Sequence, residues 1–524
     1  MQHRYRMMFP SATAAATDAP YTERRPDGPT PVFCAVGRFH TLGAVEAAWA
    51  AGAELLLLDE PLAAAARARW PGAPVRVVAD VRRAYARLAQ LERAWPARAL
   101  TAVGVTGTNG KSTVAAWLHW VLGQLGHPTG LVGTVTVDVG VRTFPAKLTT
   151  PDARELAAHL HAMCTAGLTH VVMEASSHGL DQRRTDGVSF QVGVFTNFSS
   201  DHLDYHATAQ DYLAAKRRLF VGLAADSTAV LNADDPATQV LAGATPARVL
   251  WYGQHAGAHS VGRWHADRAH VRLGAWSATA ALPGLGYHRL SNALAVLAAA
   301  TALGEPPEHT WPALLAFPGL WRRLQVISGP DDPIRVIDDC AHNPANLAAA
   351  LHAAAAAGPR RGALHVVYAV RGRRGVAVNA LNAAALAHHA PHDARLHLTW
   401  ALDLAGADDA VAPDEDQVYR DELARAGRPY RCWPTVEEAL GQVLDEVDPG
   451  DTVLLLGAHA MDHAADVWYR LAGGRVAVTS RPQAHQSAPF QPATGIGPTT
   501  AHPAGSAAAG IVTLIGTSSR GHGM

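Results

Sequence analysis

The chain is 524 residues long, 48% hydrophobic and 17% charged, with a formal net charge of −1; that length suits roughly two to four domains, and the balance sets up no field for nucleic acid or a membrane surface. Its four cysteines, Cys34, Cys164, Cys340 and Cys432, lack CxxC or CxH spacing, which suits a reduced cytosol and argues against a disulfide framework or a zinc site. No apolar run reaches about 18 residues and the first ten residues lack a signal-peptide core, so a soluble, cytoplasmic protein is expected.

In chain order, residues 1–30 are polar and rich in Pro and Ala, and are expected to be disordered. Residues 31–97 read as a small α/β unit: V-F-C-A-V, E-L-L-L-L-D and V-R-V-V-A-D are strands, and A-V-E-A-A-W-A-A-G and D-V-R-R-A-Y-A-R-L-A-Q-L are helices. Residues 98–318 form a larger domain. Its apolar strands include H-V-V-M-E (170–174), V-G-V-F-T-N (192–197) and T-A-V-L-N (228–232), and the helices between them predict a mainly parallel sheet covered on both faces. A linker with Pro306, Pro307 and Pro318 leads into residues 319–475, where strands at 334–339, 365–370, 396–400 and 452–457 alternate with Ala-rich helices. That alternation predicts a second, Rossmann-like sheet. Residues 476–524, dominated by Pro, Ser, Gly, Thr and Ala apart from a short apolar piece at 511–516, are expected to be a disordered tail.

The central domain opens on T-A-V-G-V-T-G-T-N-G-K-S-T (101–113). Val103 and Val105 alternate as a strand does, and Val114, Leu118, Val121, Leu122 and Leu125 recur at helical spacing. The glycines between let the backbone approach an anion, and the N–H groups of the loop and helix start point at it. Lys111 would neutralise phosphate oxygens, and the Ser112 hydroxyl would sit on Mg²⁺. A standard phosphate loop has Gly six residues before the lysine; here that place is Val105. A glycine-rich turn between strand and helix can be only a turn, but Lys-Ser directly after it favours nucleotide binding.

Only three of the 44 basic residues are lysines: Lys111, Lys147 and Lys216. Arginine cannot replace lysine where a compact ammonium or a deprotonatable amine is required. All three fall in stretches that look chemical on other grounds, which favours function over compositional drift for Lys111 and Lys216. L-T-T-P-D-A (148–153), M-E-A-S-S-H-G-L-D-Q-R-R (173–184) and T-N-F-S-S-D-H-L-D-Y-H (196–206) follow strands or flank Lys147, and A-A-K-R-R-L-F (214–220) puts Lys216 on a helix. The carboxyl ends of strands are where a doubly wound sheet binds ligands. Each stretch alone reads equally well as a solvated loop or a cap. Together they suit Mg²⁺, a nucleotide and an anionic substrate.

In order and spacing these stretches resemble the Mur ligases, and among them the members that add the third residue of the peptidoglycan stem. The resemblance is dense over about residues 100–235 and is not seen before residue 28 or after residue 475. It implies a three-domain α/β architecture, with a central P-loop-type sheet and a Rossmann-like third domain. It implies ATP on Thr106, Gly107, Thr108, Asn109, Gly110, Lys111, Ser112 and Thr113, with Asn292, Arg323 and Asp339 also on the nucleotide. Mg²⁺ would be held by Ser112, Glu174, His202 and Lys216 in carbamylated form. Thr149, Thr150, Ser176, Gln182, Arg184 and His342 match substrate positions. The implied chemistry is phosphoryl transfer to a carboxylate and attack on the acyl phosphate by an amine. Partners would then be small molecules: ATP, an acid such as a UDP-N-acetylmuramoyl dipeptide, and an amino acid, with the protein a monomer. Arg217 and Arg218 are expected to help release the proton of Lys216.

Several motifs depart from the family pattern. G-Y-H-R-L-S-N (286–292) has Arg289 where the family has Asn. The D-N-P-R motif of diaminopimelate-adding members is absent near 399–404, G-K-G-H-E is replaced by G-A-H-A-M-D (457–462), and R-G-R-R-G (371–375) replaces an acidic loop. F-P-G-L-W-R-R-L-Q-V-I (317–327) and V-I-D-D-C-A-H-N-P (336–344) are closer to the muramate–alanine and folylpolyglutamate branches. Three readings follow: a peptidoglycan ligase, a related amide ligase for another acid, and an idle nucleotide-binding partner protein.

Overall fold

The computed structural model describes residues 5–7 and 30–473, apart from 200, 203–204, 256, 330, 358–361 and 407–408. The tail expected to be disordered at 476–524 lies outside these residues, as does most of 1–30. Within that leading segment Tyr5–Met7 is instead a strand, paired in parallel with Thr30–Cys34. Three residues are too few for an apolar alternation to signal a strand, and edge pairing supplies the order instead.

Tyr5–Met7, Thr30–Cys34, Leu55–Leu58 and Val75–Val77 form a parallel sheet in that order. The helices Leu42–Ala50, Glu60–Arg69 and Val81–Glu92 each start on a side chain, Thr41, Asp59 or Asp80, that accepts a first-turn N–H, satisfying a donor the helix leaves orphaned. The last of these helices faces the central domain. Tyr85 donates to Asp152 Oδ1 at 2.7 Å, and Arg183 Nε donates to Asp80 Oδ2 at 3.0 Å.

The central sheet has eleven strands among the described residues. Thr101–Thr106 lies between His170–Glu174 and Phe190–Phe195, parallel to both. Its flanking strands come from later in the chain and lie on opposite sides, so the crevice beyond its carboxyl end is a topological switch point. The helices Lys111–Gln124 and His288–Ala302 cover one face of the sheet, and Ala153–Thr165 and Ala209–Val221 flank the other. Burial on both faces explains why these strands read as continuous apolar runs. Antiparallel strands close both edges: Arg268–Leu273 and Trp276–Ala280 at one, Thr136–Asp138 and Thr143–Pro145 at the other.

The third sheet runs Gln325–Val326, Arg335–Asp339, Thr452–Leu456, Leu364–Ala369, Arg395–Thr399, Tyr430–Trp433, parallel except for its first strand. Helices cover both faces. The connection from the central domain is pinned where Phe317 stacks on Trp117, centroids 5.1 Å apart, and Trp117 Nε1 donates to Leu314 O at 2.9 Å.

Just beyond lies Arg322, 1% exposed. It donates to Asp338 Oδ1 and to Ala458 O, both at 3.0 Å, and also to Gly457 O and Asp462. This guanidinium joins three chain segments of the third domain in one buried network. Removing one partner of a buried pair leaves an uncompensated charge, at a cost of about 3–5 kcal/mol. Arg322→Met is therefore expected to lower the unfolding free energy of the third domain by that order, read as a lower chemical-denaturation midpoint, and an unchanged midpoint would refute the assignment.

Candidate active site

Gly107 takes φ +146°, and a Cβ there would lie 1.9 Å from Thr196 Oγ1, so only glycine lets the loop turn against that neighbour. Gly110, at φ +82°, caps the helix that begins at Lys111; a Cβ there would come within 2.7 Å of Asn292 Oδ1. Asn292 thus sits against the phosphate loop itself. Asn197 fastens the loop from the next strand end: its Oδ1 accepts the Asn109 N–H at 2.9 Å, and its Nδ2 donates to Asn109 O at 3.1 Å. Thr196 Oγ1 donates to the same carbonyl at 2.6 Å. Thr106 and Thr108 are buried, and Thr113 is half-buried on the helix's first turn.

Both lysines converge on one backbone oxygen. Lys111 Nζ donates to Gly107 O at 3.0 Å and to Thr108 O at 2.7 Å; Lys216 Nζ donates to Gly107 O at 2.7 Å. Lys216 is 1% exposed and lies over the Tyr212 ring, 4.1 Å from its centroid. Burial first, and the Lys111 charge second, push its pKa well below the usual lysine range, against a smaller opposing pull from Asp201. The sequence expectation is corrected here. Arg217 is not among the causes, and Arg218 points its guanidinium to Asp181 at 3.3 Å. Lys111 is also held below its usual range by burial, against Glu174 and Asp201. Lys147 is exposed.

Glu174, at the end of its strand and 1% exposed, accepts from Ser112 Oγ at 2.9 Å, from the Thr134 N–H at 2.6 Å and from Thr134 Oγ1 at 3.0 Å. Thr134 Oγ1, its proton given to Glu174, in turn accepts from the Thr149 hydroxyl at 3.0 Å. A carboxylate and hydroxyls at one point make a hard-oxygen donor set that fits Mg²⁺. His202, at φ +54°, joins a cluster of rings: 5.0 Å from His178 and 5.9 Å from Tyr212.

Thr150 accepts the Ser176 N–H at 2.9 Å and donates to Glu174 O at 2.8 Å, while Arg184 Nη1 donates to Thr150 O at 2.7 Å and Nη2 to Gln182 Oε1 at 2.8 Å. Thr150, Ser176, Gln182 and Arg184 are therefore one connected wall beside Glu174. From the third domain Arg323 Nη2 reaches Ser112 Oγ at 3.5 Å, and Asn343 Nδ2 donates to Asp201 at 3.2 Å. Asp339 accepts the Leu324 N–H at 2.7 Å and holds the turn that carries Arg323. His342 is tied to Cys340 O at 2.6 Å, and burial lowers its pKa to about 4.

Residues 105–300 match the Mur ligase middle domain, and residues 322–459 match the Mur ligase glutamate ligase domain. A UDP-N-acetylmuramoyl-L-alanyl-D-glutamate–2,6-diaminopimelate ligase from Geobacillus kaustophilus is 32% identical over 426 residues, 79% of this chain and 83% of that protein. The chain belongs to the Mur ligase family. A UDP-N-acetylmuramyl-tripeptide synthetase from Deinococcus radiodurans is 34% identical over 83% of this chain and 89% of its own length. The match to the diaminopimelate ligase from Thermosynechococcus vestitus, 39% identical, spans 55% of this chain and 60% of that protein. A solved UDP-N-acetylmuramoyl-L-alanyl-D-glutamate–2,6-diaminopimelate ligase superposes with a TM-score of 0.58 at 25% identity, covering 82% of this chain and 87% of that one. This Mur ligase is an enzyme that forms amide bonds at the expense of ATP.

Sequence reasoning overlooked Thr134, Tyr212 and Arg322. Thr134 was findable, since it follows the strand Thr129–Val132 at its carboxyl end, where ligands gather. Tyr212 reads as one more apolar helix position, and Arg322 as a twin of Arg323.

Two outcomes are expected. Gly107→Ala forces a Cβ into Thr196 at a φ disfavoured for L-residues, so ADP affinity measured calorimetrically should drop by at least about tenfold, equivalent to about 1.4 kcal/mol. His342 binds its proton less readily folded than unfolded, so its contribution to stability is present above pH 6.5 and is lost as pH falls towards 4. His342→Asn should flatten the stability slope over that window, read from denaturation midpoints.

Proposed function

We propose that this Mur ligase joins an amino acid other than diaminopimelate to the carboxylate of a UDP-N-acetylmuramoyl dipeptide, in the cytoplasmic synthesis of peptidoglycan precursors. The observation that carries the reading is the meeting of Ser112 and Glu174 at 2.9 Å, with Arg323 of the third domain on the same hydroxyl. The loop amides and Lys111 would receive the ATP phosphates, and Arg323 would approach from the opposite domain. Ser112 and Glu174 would hold Mg²⁺, with His202 from its ring cluster as a further ligand, and the ion would supply charge for the transferred phosphoryl oxygens. The Thr150–Ser176–Gln182–Arg184 wall would hold the muramoyl substrate, with Thr149 and His342 at its edges. The γ-phosphoryl group passes to the substrate carboxylate, the amine attacks the acyl carbon, and phosphate leaves. Closure of the third domain keeps water from the acyl phosphate.

Lys216 would carry a carbamate. Burial next to Lys111 favours the neutral amine, the form whose nitrogen adds to CO₂ with loss of a proton. The product is an anion beside Lys111, so repulsion between two cations becomes attraction. A carbamate can also ligate Mg²⁺. Lys216→Arg keeps the length but stays cationic and cannot form it, so turnover should vanish while ATP binding persists. Lys216→Ala should regain part of its activity with short carboxylic acids. Full turnover by Lys216→Arg would refute the role.

The amine half supports a narrower statement. The named relatives include diaminopimelate ligases, but here neither D-N-P-R nor the lysine of G-K-G-H-E is present. Burying a distal charge without ionic partners costs on the order of several kcal/mol. Those departures favour a second reading as well, a Mur-like ligase for another acid. Phosphate release from ATP and Mg²⁺ across a panel of acids and amines separates the two. Turnover with UDP-muramoyl dipeptide and slow reaction with diaminopimelate is the expected result; efficient diaminopimelate addition would refute the acceptor assignment.

A further inference from the structure

At the pole of the third sheet opposite the catalytic cleft, His365 and His397 enter on neighbouring parallel strands, Leu364–Ala369 and Arg395–Thr399. Val367 pairs with His397 and His365 with Arg395, so the two histidines are offset by two residues and share one face. Glu446, the last residue of the helix Val436–Glu446, closes over them. One donor atom from each of the three lies within 4.8 Å of the others. We propose that His365, His397 and Glu446 are a binding site for a divalent transition-metal ion, with zinc the best fit.

Two observations carry this. First, the histidines are 0% and 1% exposed, and His365 Nδ1 and both ring nitrogens of His397 have no hydrogen-bond partner. Buried polar atoms without partners are costly, and an imidazole pair facing a carboxylate is relieved by a shared cation. Second, His365 Nε2 meets Asp451 Oδ2 at 3.2 Å. That carboxylate is itself fixed by the N–H groups of Ala363, at 2.6 Å, and Asp448, at 3.0 Å. A carboxylate behind one nitrogen sets the tautomer and turns the other nitrogen towards a metal.

The surrounding charges are accounted for. Glu446 Oε1 accepts from Gln442 at 2.7 Å and from Arg431, and Arg395 Nη1 lies 3.5 Å from His365 Nε2. Both arginines are exposed, so a dication can displace them into water. Two imidazoles and a carboxylate form a borderline-soft set that suits zinc better than magnesium. The cysteine spacing that argued against a zinc site has no bearing on a site built from histidines. Such an ion would clasp two strands to a helix and stabilise the third domain by mass action.

The test uses the full chain, stripped with chelator and returned to saturating Mg²⁺ so that hard-oxygen sites are filled. Zn²⁺ is titrated calorimetrically and Co²⁺ by its visible absorption. We expect one saturable equivalent per chain with tetrahedral Co²⁺ bands, and a melting temperature raised by Zn²⁺. His397→Gln should abolish binding, and Glu446→Gln should weaken it by about tenfold or more. Glu446 is at the surface edge, so its variant decides the matter if His397→Gln fails to fold. Absence of saturable binding in the parent chain, or undiminished binding in Glu446→Gln, would overturn the site.

Discussion

Two ammonium groups reaching for one carbonyl oxygen is the constraint on which the catalytic crevice depends. Lys111 and Lys216 meet Gly107 O at 3.0 and 2.7 Å, both are shielded from water, and the nearby carboxylates, Glu174 and Asp201, only partly offset them. Such a pair cannot both stay charged without an anion. The loop relieves this in two ways: burial drives Lys216 towards its neutral form, and the crevice is left with a strong preference for an anionic ligand. Arginine satisfies neither, because its guanidinium does not deprotonate. That explains why a chain writing nearly all its positive charge as arginine keeps lysine at these two places.

The same crevice depends on a hinge built from packing. Trp117, on the helix Lys111–Gln124, is buried against Phe317 and donates to Leu314 O, so the helix that follows the glycine-rich loop also anchors the chain leaving for the third domain. A few residues on, Arg322 and Arg323 diverge. Arg322 turns into the third domain and knits it together, while Arg323 turns out to Ser112. Adjacent, identical side chains thus divide the work: one fixes the domain as a rigid body, the other carries its charge across the cleft.

The sequence exposes whatever depends on local chemistry. The strand–loop–helix at 101–125 was legible because glycine spacing, apolar period and Lys-Ser all agree, and the buried parallel strands because they are continuous apolar runs. Tyr5–Met7 was not legible, since its order comes from pairing with Thr30–Cys34, distant in sequence. Nor was the meander at Ser260–Ala280, whose strands are half exposed and carry no continuous apolar run. In the site, residues with chemical side chains at strand ends could be named in advance. Their partners could not: Thr134 on Glu174 and the shared Gly107 carbonyl are tertiary facts, and the cause of the Lys216 shift lies in burial rather than in its sequence neighbours.

The third domain shows how a motif can change its task. The R-G-R-R-G loop looks like a cationic receptor for an anionic acceptor group. Its backbone is already engaged: Glu415 accepts from the N–H groups of Arg373, Arg374 and Gly375 at 2.7–2.9 Å, and from Asn379 and Ala412. Burial would raise this carboxyl, and those donors more than offset it, holding it below the usual range. Arg371 and Arg374 both face Asp409. The nest of amides is therefore filled by the protein's own anion, which leaves only side chains at its rim free to meet a ligand. Arg373 and Arg374 are exposed there, so the loop presents cationic side chains at its surface although its backbone donors are already spent.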